Sequence, residues 1–236
     1  MAEKETMKNN DIIDAMFKAG AHFGYQKSRR NASVAPFIFG VKNKVEIMDL
    51  EMTALMLEKA KDFVTEIAKT GKQILFVGGK NEAQAAVKLG AESIDMPYVA
   101  SRWIGGALTN AVEIKKRIAQ FEDLQKQKEK GELSKYTKKE RLLIDRKIAK
   151  LDEMFHGIVP MRELPKAVFV IDPGKEFIVV AEAKKMGIPV IALSNTDCNI
   201  KEIDYPIVGN DASMPSISLF VTEIVKAYKA GKVAKS

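Results

Sequence analysis

The chain has 236 residues, of which 46% are hydrophobic and 29% are charged, and its formal net charge is +7. This composition can supply a packed core, and the excess of cations favours an acidic partner such as nucleic acid or an anionic membrane surface. No apolar run approaches the ~18–20 residues that span a bilayer, and residues 1–10 are too polar for a signal peptide. The single cysteine, Cys198, excludes an intrachain disulfide and fits a reducing cytoplasm.

The first predicted element is a helix over residues 11–19, in which apolar residues share one face and Gly20 can end the helix. Residues 21–31 mix aromatic residues, glycine and cations and have neither a helical nor a strand period. We therefore expect an irregular segment there that lies outside the core.

A β-hairpin and a long helix are predicted next. Residues 37–39 and 45–48 form two short apolar strands, and residues 40–44 between them suit a turn. The apolar spacing then becomes helical from residue 49 to residue 70, and Gly71 can end that helix.

Strands and helices alternate through most of the remaining chain. The predicted strands cover residues 73–77, 98–100, 167–171 and 190–193, and the predicted helices cover residues 82–89, ended by Gly90, 175–186, ended by Gly187, and 215–230. Strands that are apolar throughout, alternating with amphipathic helices, indicate an open, largely parallel sheet that helices cover on both faces.

Residues 110–155 interrupt this alternation and predict a coiled-coil helical hairpin. Apolar residues recur there at spacings of three and four, at Ile114, Ile118, Phe121 and Leu124 and again at Ile144, Ile148, Leu151 and Phe155. Thr137 and Glu140 form a capping-box pattern for the second helix, and Gly131 can end the first.

Two units follow from these patterns. Residues 1–109 and 158–236 form a discontinuous α/β domain, and residues 110–157 form the inserted hairpin. Because two helices alone bury little surface, we expect the hairpin to be braced against a partner. This shape is more typical of proteins in large assemblies than of small metabolic enzymes.

Five cations of the irregular segment and the hairpin turn are candidate RNA-binding residues. They are Lys27, Arg29, Arg30, Lys42 and Lys44. The five lie close together if the β-hairpin folds beside the loop, and loop cations can approach phosphates. The alternative is a solvated loop without a ligand.

The turn Gly78-Gly79-Lys80 lies between a predicted strand and a predicted helix, where nucleotides often bind. It lacks the G-x-G-x-x-G fingerprint and the G-x-x-x-x-G-K-[ST] phosphate loop, so we expect no cofactor. Lys80 remains a candidate for an RNA phosphate at the start of the helix.

Arg102 and Trp103 precede two glycines at the root of the hairpin. Their planar groups could stack on an exposed base, and both are candidate RNA-binding residues. Alternatively, Trp103 fixes the root of the hairpin to the sheet.

The hairpin cations Lys115, Lys116 and Arg117 are further candidates for RNA contact. The mixed charges along the rest of the hairpin are instead typical of a solvated, salt-bridged surface.

His22 and His156 have no metal-ligand spacing, so we expect no metal. Cys198 could be a catalytic thiol, but no neighbouring base supports that role. The sequence contains no recognisable catalytic constellation.

Several short segments resemble those of one family. They are Ala-His-Phe-Gly (21–24), Pro-Phe-Ile-Phe-Gly (36–40), Lys-Asn-Lys-Val (42–45), Ile-Leu-Phe-Val-Gly (74–78), Arg-Trp-Ile-Gly-Gly-Ala-Leu-Thr-Asn (102–110), Phe-Val-Ile-Asp (169–172), Gly-Ile-Pro-Val (187–190) and Gly-Asn-Asp (209–211). In this order they resemble the bacterial small-subunit ribosomal protein S2 family, from about residue 12 to residue 228. The run at 102–110 is the most specific of them.

The resemblance implies a Rossmann-like α/β domain with a coiled-coil hairpin and a structural, non-enzymatic role in the small ribosomal subunit. It implies binding to small-subunit rRNA at the junction of head and body, support of assembly and translation, and contacts with neighbouring ribosomal proteins. In many bacteria it also implies anchoring of ribosomal protein S1. We expect a cytoplasmic or organellar ribosome, no membrane partner and no homo-oligomer.

The sequence departs from the family pattern in three places: Tyr25 replaces a usual histidine, residues 31–34 replace a usual Asn-Pro-Lys-Met, and only Asp211 remains of two acidic residues. Histidine and aspartate residues in these regions are proposed metal ligands in some members, and they are fewer here. The competing interpretations are an α/β enzyme that uses the crevice at the carboxyl ends of the strands, and a scaffold that binds another protein through the hairpin.

Overall fold

The computed structural model describes residues 11–161 and 163–233. The helices are α1 (residues 11–18), α2 (Leu50–Thr70), α3 (Asn81–Glu92), α4 (Ala111–Glu129), α5 (Lys138–Phe155), α6 (Phe177–Lys185) and α7 (Met214–Val233). The strands are β1 (Phe23–Gln26), β2 (Ile38–Lys42), β3 (Val45–Met48), β4 (Ile74–Val77), β5 (Tyr98–Val99), β6 (Ala167–Ile171), β7 (Val190–Ser194) and β8 (Tyr205–Val208). The predicted alternation of strand and helix is confirmed.

The main sheet has five parallel strands in the order β5-β4-β6-β7-β8. β4, β6 and β7 are buried along their whole length, as unbroken apolar strands require in a sheet covered on both faces. Helices α2, α3 and α7 pack on the face that carries Phe76 and Phe169. Helix α6 and the root of the hairpin cover the other face, over Val77 and Val170. The Rossmann-like α/β fold is therefore confirmed.

A second, antiparallel sheet has the order β1-β3-β2. The β2–β3 hairpin is confirmed, and its turn is tight because Asn43 and Lys44 both have positive φ. Strand β1 contradicts the prediction of an irregular segment, and Ala21 just before it is fully buried. The four residues of β1 are too few for a visible period, and a register shift between Phe23 and Gln26 obscures the pattern further.

Two features of the main domain differ from the sequence prediction. Gly90 does not end α3, which continues to Glu92. A Cβ atom at Gly90 would overlap the side chain of Val221, so this glycine allows α3 and α7 to approach closely. Strand β8 was not predicted because Pro206 interrupts a short apolar run, and the proline is tolerated because β8 is an edge strand.

The helical hairpin consists of α4 and α5 and is inserted between β5 and β6. The side chains of Phe121 and Ile148 are buried in the predicted seam. Thr137 and Glu140 form the predicted capping box, and Gly131 has a left-handed φ of 72° after α4. At the root, Phe155 belongs to the same apolar cluster as the main sheet, so the hairpin is continuous with the core there. Its division from the α/β domain at residues 110 and 157 stays a prediction.

Candidate RNA interface

One end of the small sheet brings together four of the predicted RNA-binding cations. In the sheet register, Val45 lies between Gln26 of β1 and Lys42 of β2. Lys27, which follows Gln26, and Lys44, which precedes Val45, therefore lie at the same end as Lys42. All three are exposed, and so is Arg29 in the 3₁₀ turn after β1. We call Lys27, Arg29, Lys42 and Lys44 the basic loop surface.

Arg30 has a different environment from the other four cations. Its guanidinium Nη1 lies 3.1 Å from Oε1 of Glu46, whose side chain is fully buried on β3. A buried carboxylate requires such a partner, so Arg30 stabilises the small sheet. Arg29 instead lies over the ring of Tyr25, with its guanidinium carbon 4.8 Å from the ring centroid.

The segment that carries the basic loop surface is fixed to the loop after β7. The backbone N–H of Tyr25 donates to Oγ1 of Thr196 (3.0 Å), and that of Asn31 donates to the Thr196 carbonyl (2.8 Å). Gly24 permits this approach, since a Cβ there would lie 2.6 Å from the Thr196 side chain. Lys27 and Arg29 are therefore held beside the carboxyl edge of the main sheet.

The crevice at the carboxyl ends of the strands contains a buried ion triad. Nζ of Lys80 lies 2.7 Å from Oδ2 of Asp172 and 2.8 Å from Oδ2 of Asp211, and Asn195 donates to Asp211 (2.8 Å). Burial alone would lower the pKa of Lys80, but the two carboxylates outweigh it and raise the pKa. Lys80 is therefore committed to internal carboxylates.

The turn before α3 is also occupied by an acidic side chain of the protein. The Gly79 N–H donates to the carboxylate of Glu176, and burial raises the pKa of that carboxyl group. A carboxylate thus occupies the position where nucleotide-binding folds place a phosphate.

Cys198 is buried nearby. Burial is the largest cause that raises the pKa of its thiol, and the charges of Asp197 and Asp172 raise it further. Such a thiol is a poor nucleophile.

Trp103 does not offer a stacking surface, because it is only 6% exposed and its indole Nε1–H donates to Glu182 at 3.2 Å. The same carboxylate accepts hydrogen bonds from the backbone N–H groups of Gly106, Leu108 and Thr109 and from the Thr109 hydroxyl. Glu182 therefore fixes the loop at the root of the hairpin to α6. This arrangement corresponds to the structural alternative for Trp103.

Glu182 was not identified from the sequence. Burial would raise its pKa, but the hydrogen bonds from Gly106, Trp103, Leu108 and Thr109 outweigh burial and lower the pKa. Its position on the apolar face of α6 could have identified it, because an acidic residue on a buried face needs hydrogen-bond donors from within the protein.

The predicted cations at the hairpin root lie on α4, away from the small sheet. Lys115, Lys116 and Arg117 are exposed, and Lys116 forms an ion pair with Glu113 at 2.7 Å. Arg102, in the loop before α4, is also exposed. A second group of cations lies toward the far end of the hairpin, where residues 126–147 contain nine Lys or Arg residues and four acidic residues. We call residues 126–147 the basic hairpin end.

Exposed aromatic residues accompany the small sheet. Phe39 of β2 is 80% exposed and Phe23 of β1 is 48% exposed. Phe17 stacks on His22 with ring centroids 4.7 Å apart, and burial lowers the pKa of His22.

Within residues 11–161 and 163–233, no group of three or more His, Cys, Asp or Glu side chains could hold a metal ion. None of the helices in those two ranges combines the length and the apolar character that spanning a bilayer requires.

Comparison with known proteins identifies the family. The family described as ribosomal protein S2 matches residues 16–231. Three relatives described as small ribosomal subunit protein uS2 each align with 92% of this chain. They are from Nitratiruptor sp. (43% identical, 81% of the relative covered), Helicobacter hepaticus (42%, 82%) and Solidesulfovibrio magneticus (41%, 84%). The chain belongs to the ribosomal protein S2 family, a family of small-subunit ribosomal proteins and not of enzymes.

Proposed function

We propose that the chain is a structural component of the small subunit that binds small-subunit rRNA through the basic loop surface, with the basic hairpin end as a second contact. The observation that carries this proposal is the juxtaposition of Lys27, Arg29, Lys42 and Lys44 at one end of the small sheet. Arg30 is paired with a buried carboxylate. Among the residues that the structure describes, none of these four cations forms an ion pair with an acidic side chain. Their charges are available to phosphates.

The salt dependence of RNA binding tests the mechanism. Each phosphate neutralised contributes about 0.7–0.9 to the slope of log affinity against log salt concentration, so replacing the four cations by alanine should make that slope less negative by about 3. The measurement is filter binding of the purified chain to small-subunit rRNA over a series of KCl concentrations. A matched control removes four exposed lysines of α2 and α7, namely Lys59, Lys69, Lys229 and Lys232.

In the control, we expect a much smaller change of slope, because only the general field of the protein changes. Equal slopes for the two quadruple variants would contradict a specific role of the basic loop surface. A wild-type slope near zero would contradict phosphate binding altogether.

The finer parts of the proposal concern position and protein partners. We place the chain at the junction of head and body, with the hairpin of residues 110–157 acting as a separate arm braced by rRNA or a neighbouring protein. The exposed rings of Phe23 and Phe39 support a protein contact on the small sheet, and ribosomal protein S1 is the candidate that the family resemblance provides.

Replacing Phe23 and Phe39 by serine tests the protein contact, because both rings are exposed and the fold should tolerate the change. We expect small subunits that carry the double variant to lose ribosomal protein S1 in salt washes that the wild type survives. Leu142→Ser, at an exposed position on the hairpin, is the control. Equal retention of ribosomal protein S1 by wild type and double variant would exclude this surface.

A further inference from the structure

A small pocket lies between the loop after β6 and the 3₁₀ turn Ile200–Glu202 after β7. Its volume is ≈180 Å³, below the roughly 300–1,000 Å³ of pockets that hold whole cofactors or drug-sized ligands. The side chains of Val180 and Ile203 are buried in its lining, and Phe177 contributes a phenyl ring that is 64% exposed. Such a pocket has room for one flat ring against an apolar wall.

Phe177 is not needed for the core of the protein. It is the first residue of α6, and the buried face of that helix is formed by Val179, Val180 and Ala183. An exposed phenyl ring beside a pocket with a partly apolar lining is a suitable platform for another ring, since aromatic surfaces stack on the π-face of any nucleobase.

The pocket is linked by a side-chain contact to the segment that follows the basic loop. The N–H of Ile200, which follows the lining residue Asn199, donates to Oγ of Ser33 at 3.2 Å, and Ile200 packs in one apolar cluster with Val34. Ser33 and Val34 directly follow the segment of the basic loop. This contact places the pocket next to the segment that follows Lys27 and Arg29.

The two segments that form the pocket carry exposed cations, and the acidic residue in its lining is partly neutralised. Lys175 and Lys201, on the two loops that form the pocket, are both exposed. Glu202 accepts a hydrogen bond from Asn199 (2.8 Å) and lies 3.4 Å from Nζ of Lys184, so its charge is partly neutralised. Phosphates can approach the lysines, and the Glu202 carboxylate can accept a hydrogen bond from the edge of a base.

We propose that this pocket binds a single unstacked nucleobase of a single-stranded RNA segment, with the base stacked on Phe177 and its flanking phosphates near Lys175 and Lys201. This inference rests on the proposed function, because it adds a base-binding position to an RNA-binding surface. The ligand is recognised by its ring, so the site should tolerate different bases.

The test compares Phe177→Ala with Phe177→Tyr in binding a short single-stranded oligoribonucleotide of mixed sequence. Stacking is worth about 1–3 kcal/mol per base, so the alanine variant should bind about 5- to 150-fold more weakly, while the tyrosine variant should retain wild-type affinity. The salt slope should stay the same in both, because no charge is changed. Ile178→Ala, which shortens an exposed apolar neighbour outside the pocket, is the matched control.

A Phe177→Trp variant gives a direct readout of stacking. Its exposed indole should be quenched by the oligoribonucleotide but not by an abasic oligomer of the same length, whereas Trp103 is buried and contributes a constant background. Equal affinity of the wild type and the Phe177→Ala variant would overturn the inference and leave the proposed function intact. Failure of the wild type to bind any oligoribonucleotide would also overturn it, and the filter-binding assay with small-subunit rRNA would then decide the proposed function separately.

Discussion

The carboxylate of Glu182 should determine how firmly the hairpin root is attached to the main domain. In a Glu182→Gln variant, one side-chain oxygen remains for Trp103 and Gly106, while the new NH₂ group faces the donors of Leu108 and Thr109. The buried Leu108 N–H then loses its acceptor, which costs about 1–3 kcal/mol, and the two remaining bonds become neutral and weaken by about 0.5–1 kcal/mol each. Water can replace the acceptor of the exposed Thr109, so the free energy of unfolding should fall by about 2–5 kcal/mol.

The pH dependence of this loss identifies its origin. Because the folded-state pKa of Glu182 is lowered, its ionised form stabilises the protein above the pKa of a free glutamate, and this stabilisation is lost as the pH falls through the folded-state pKa. Protonated Glu182 resembles glutamine in its hydrogen-bonding groups. The difference in the free energy of unfolding between the wild type and Glu182→Gln should therefore be largest near pH 7 and should disappear in strongly acidic buffer.

Urea unfolding at a series of pH values measures both quantities. The control is Glu113→Gln, which removes an exposed ion pair with Lys116 and should change stability by less than about 0.5 kcal/mol. If Glu182→Gln is as stable as this control, or if its deficit is independent of pH, the reasoning about the Glu182 carboxylate is wrong.

Two further predictions concern buried contacts of the main domain. Lys80→Met leaves the carboxylate of Asp211 buried without its cation, which should cost about 3–5 kcal/mol near neutral pH. Since burial already raises the Asp211 pKa, the variant should gain stability relative to wild type as the pH falls and the carboxyl group is protonated, and urea unfolding at two pH values checks this. Gly90→Ala forces a Cβ atom against Val221 and should destabilise the protein by about 1–3 kcal/mol despite the better helix propensity of alanine. Gly105→Ala, where a Cβ meets no neighbour, should show no such loss in thermal unfolding.

The parts of the fold that could be predicted from the sequence depend on local signals. The parallel strands are continuous apolar runs, and the hairpin shows its seam spacing and its capping box at Thr137 within a few residues of each helix end. Strand β1 could not be predicted because its stability comes from pairing with β3, a contact between distant segments. The role of Gly90 depends on Val221, which lies in another helix.

The candidate site shows the same division. The grouping of Lys27, Lys42 and Lys44 could be predicted because Lys27 is close in the sequence to the β-hairpin, and Lys42 and Lys44 both lie at the turn of that hairpin. The pairing of Lys80 with acidic residues could not, since Asp172 and Asp211 are brought to it only by the parallel order of β4, β6, β7 and β8. Sequence alone thus located the cations and could not separate those committed to internal carboxylates from those left at the surface.

The most direct test of the central claim is sedimentation of a bacterial lysate that contains the tagged chain through a sucrose gradient at moderate salt. The account predicts that the wild type migrates with small ribosomal subunits, and that the variant lacking Lys27, Arg29, Lys42 and Lys44 shifts toward the top of the gradient. The variant without Lys59, Lys69, Lys229 and Lys232 should stay with the small subunits. A wild-type chain found only at the top of the gradient would contradict the account.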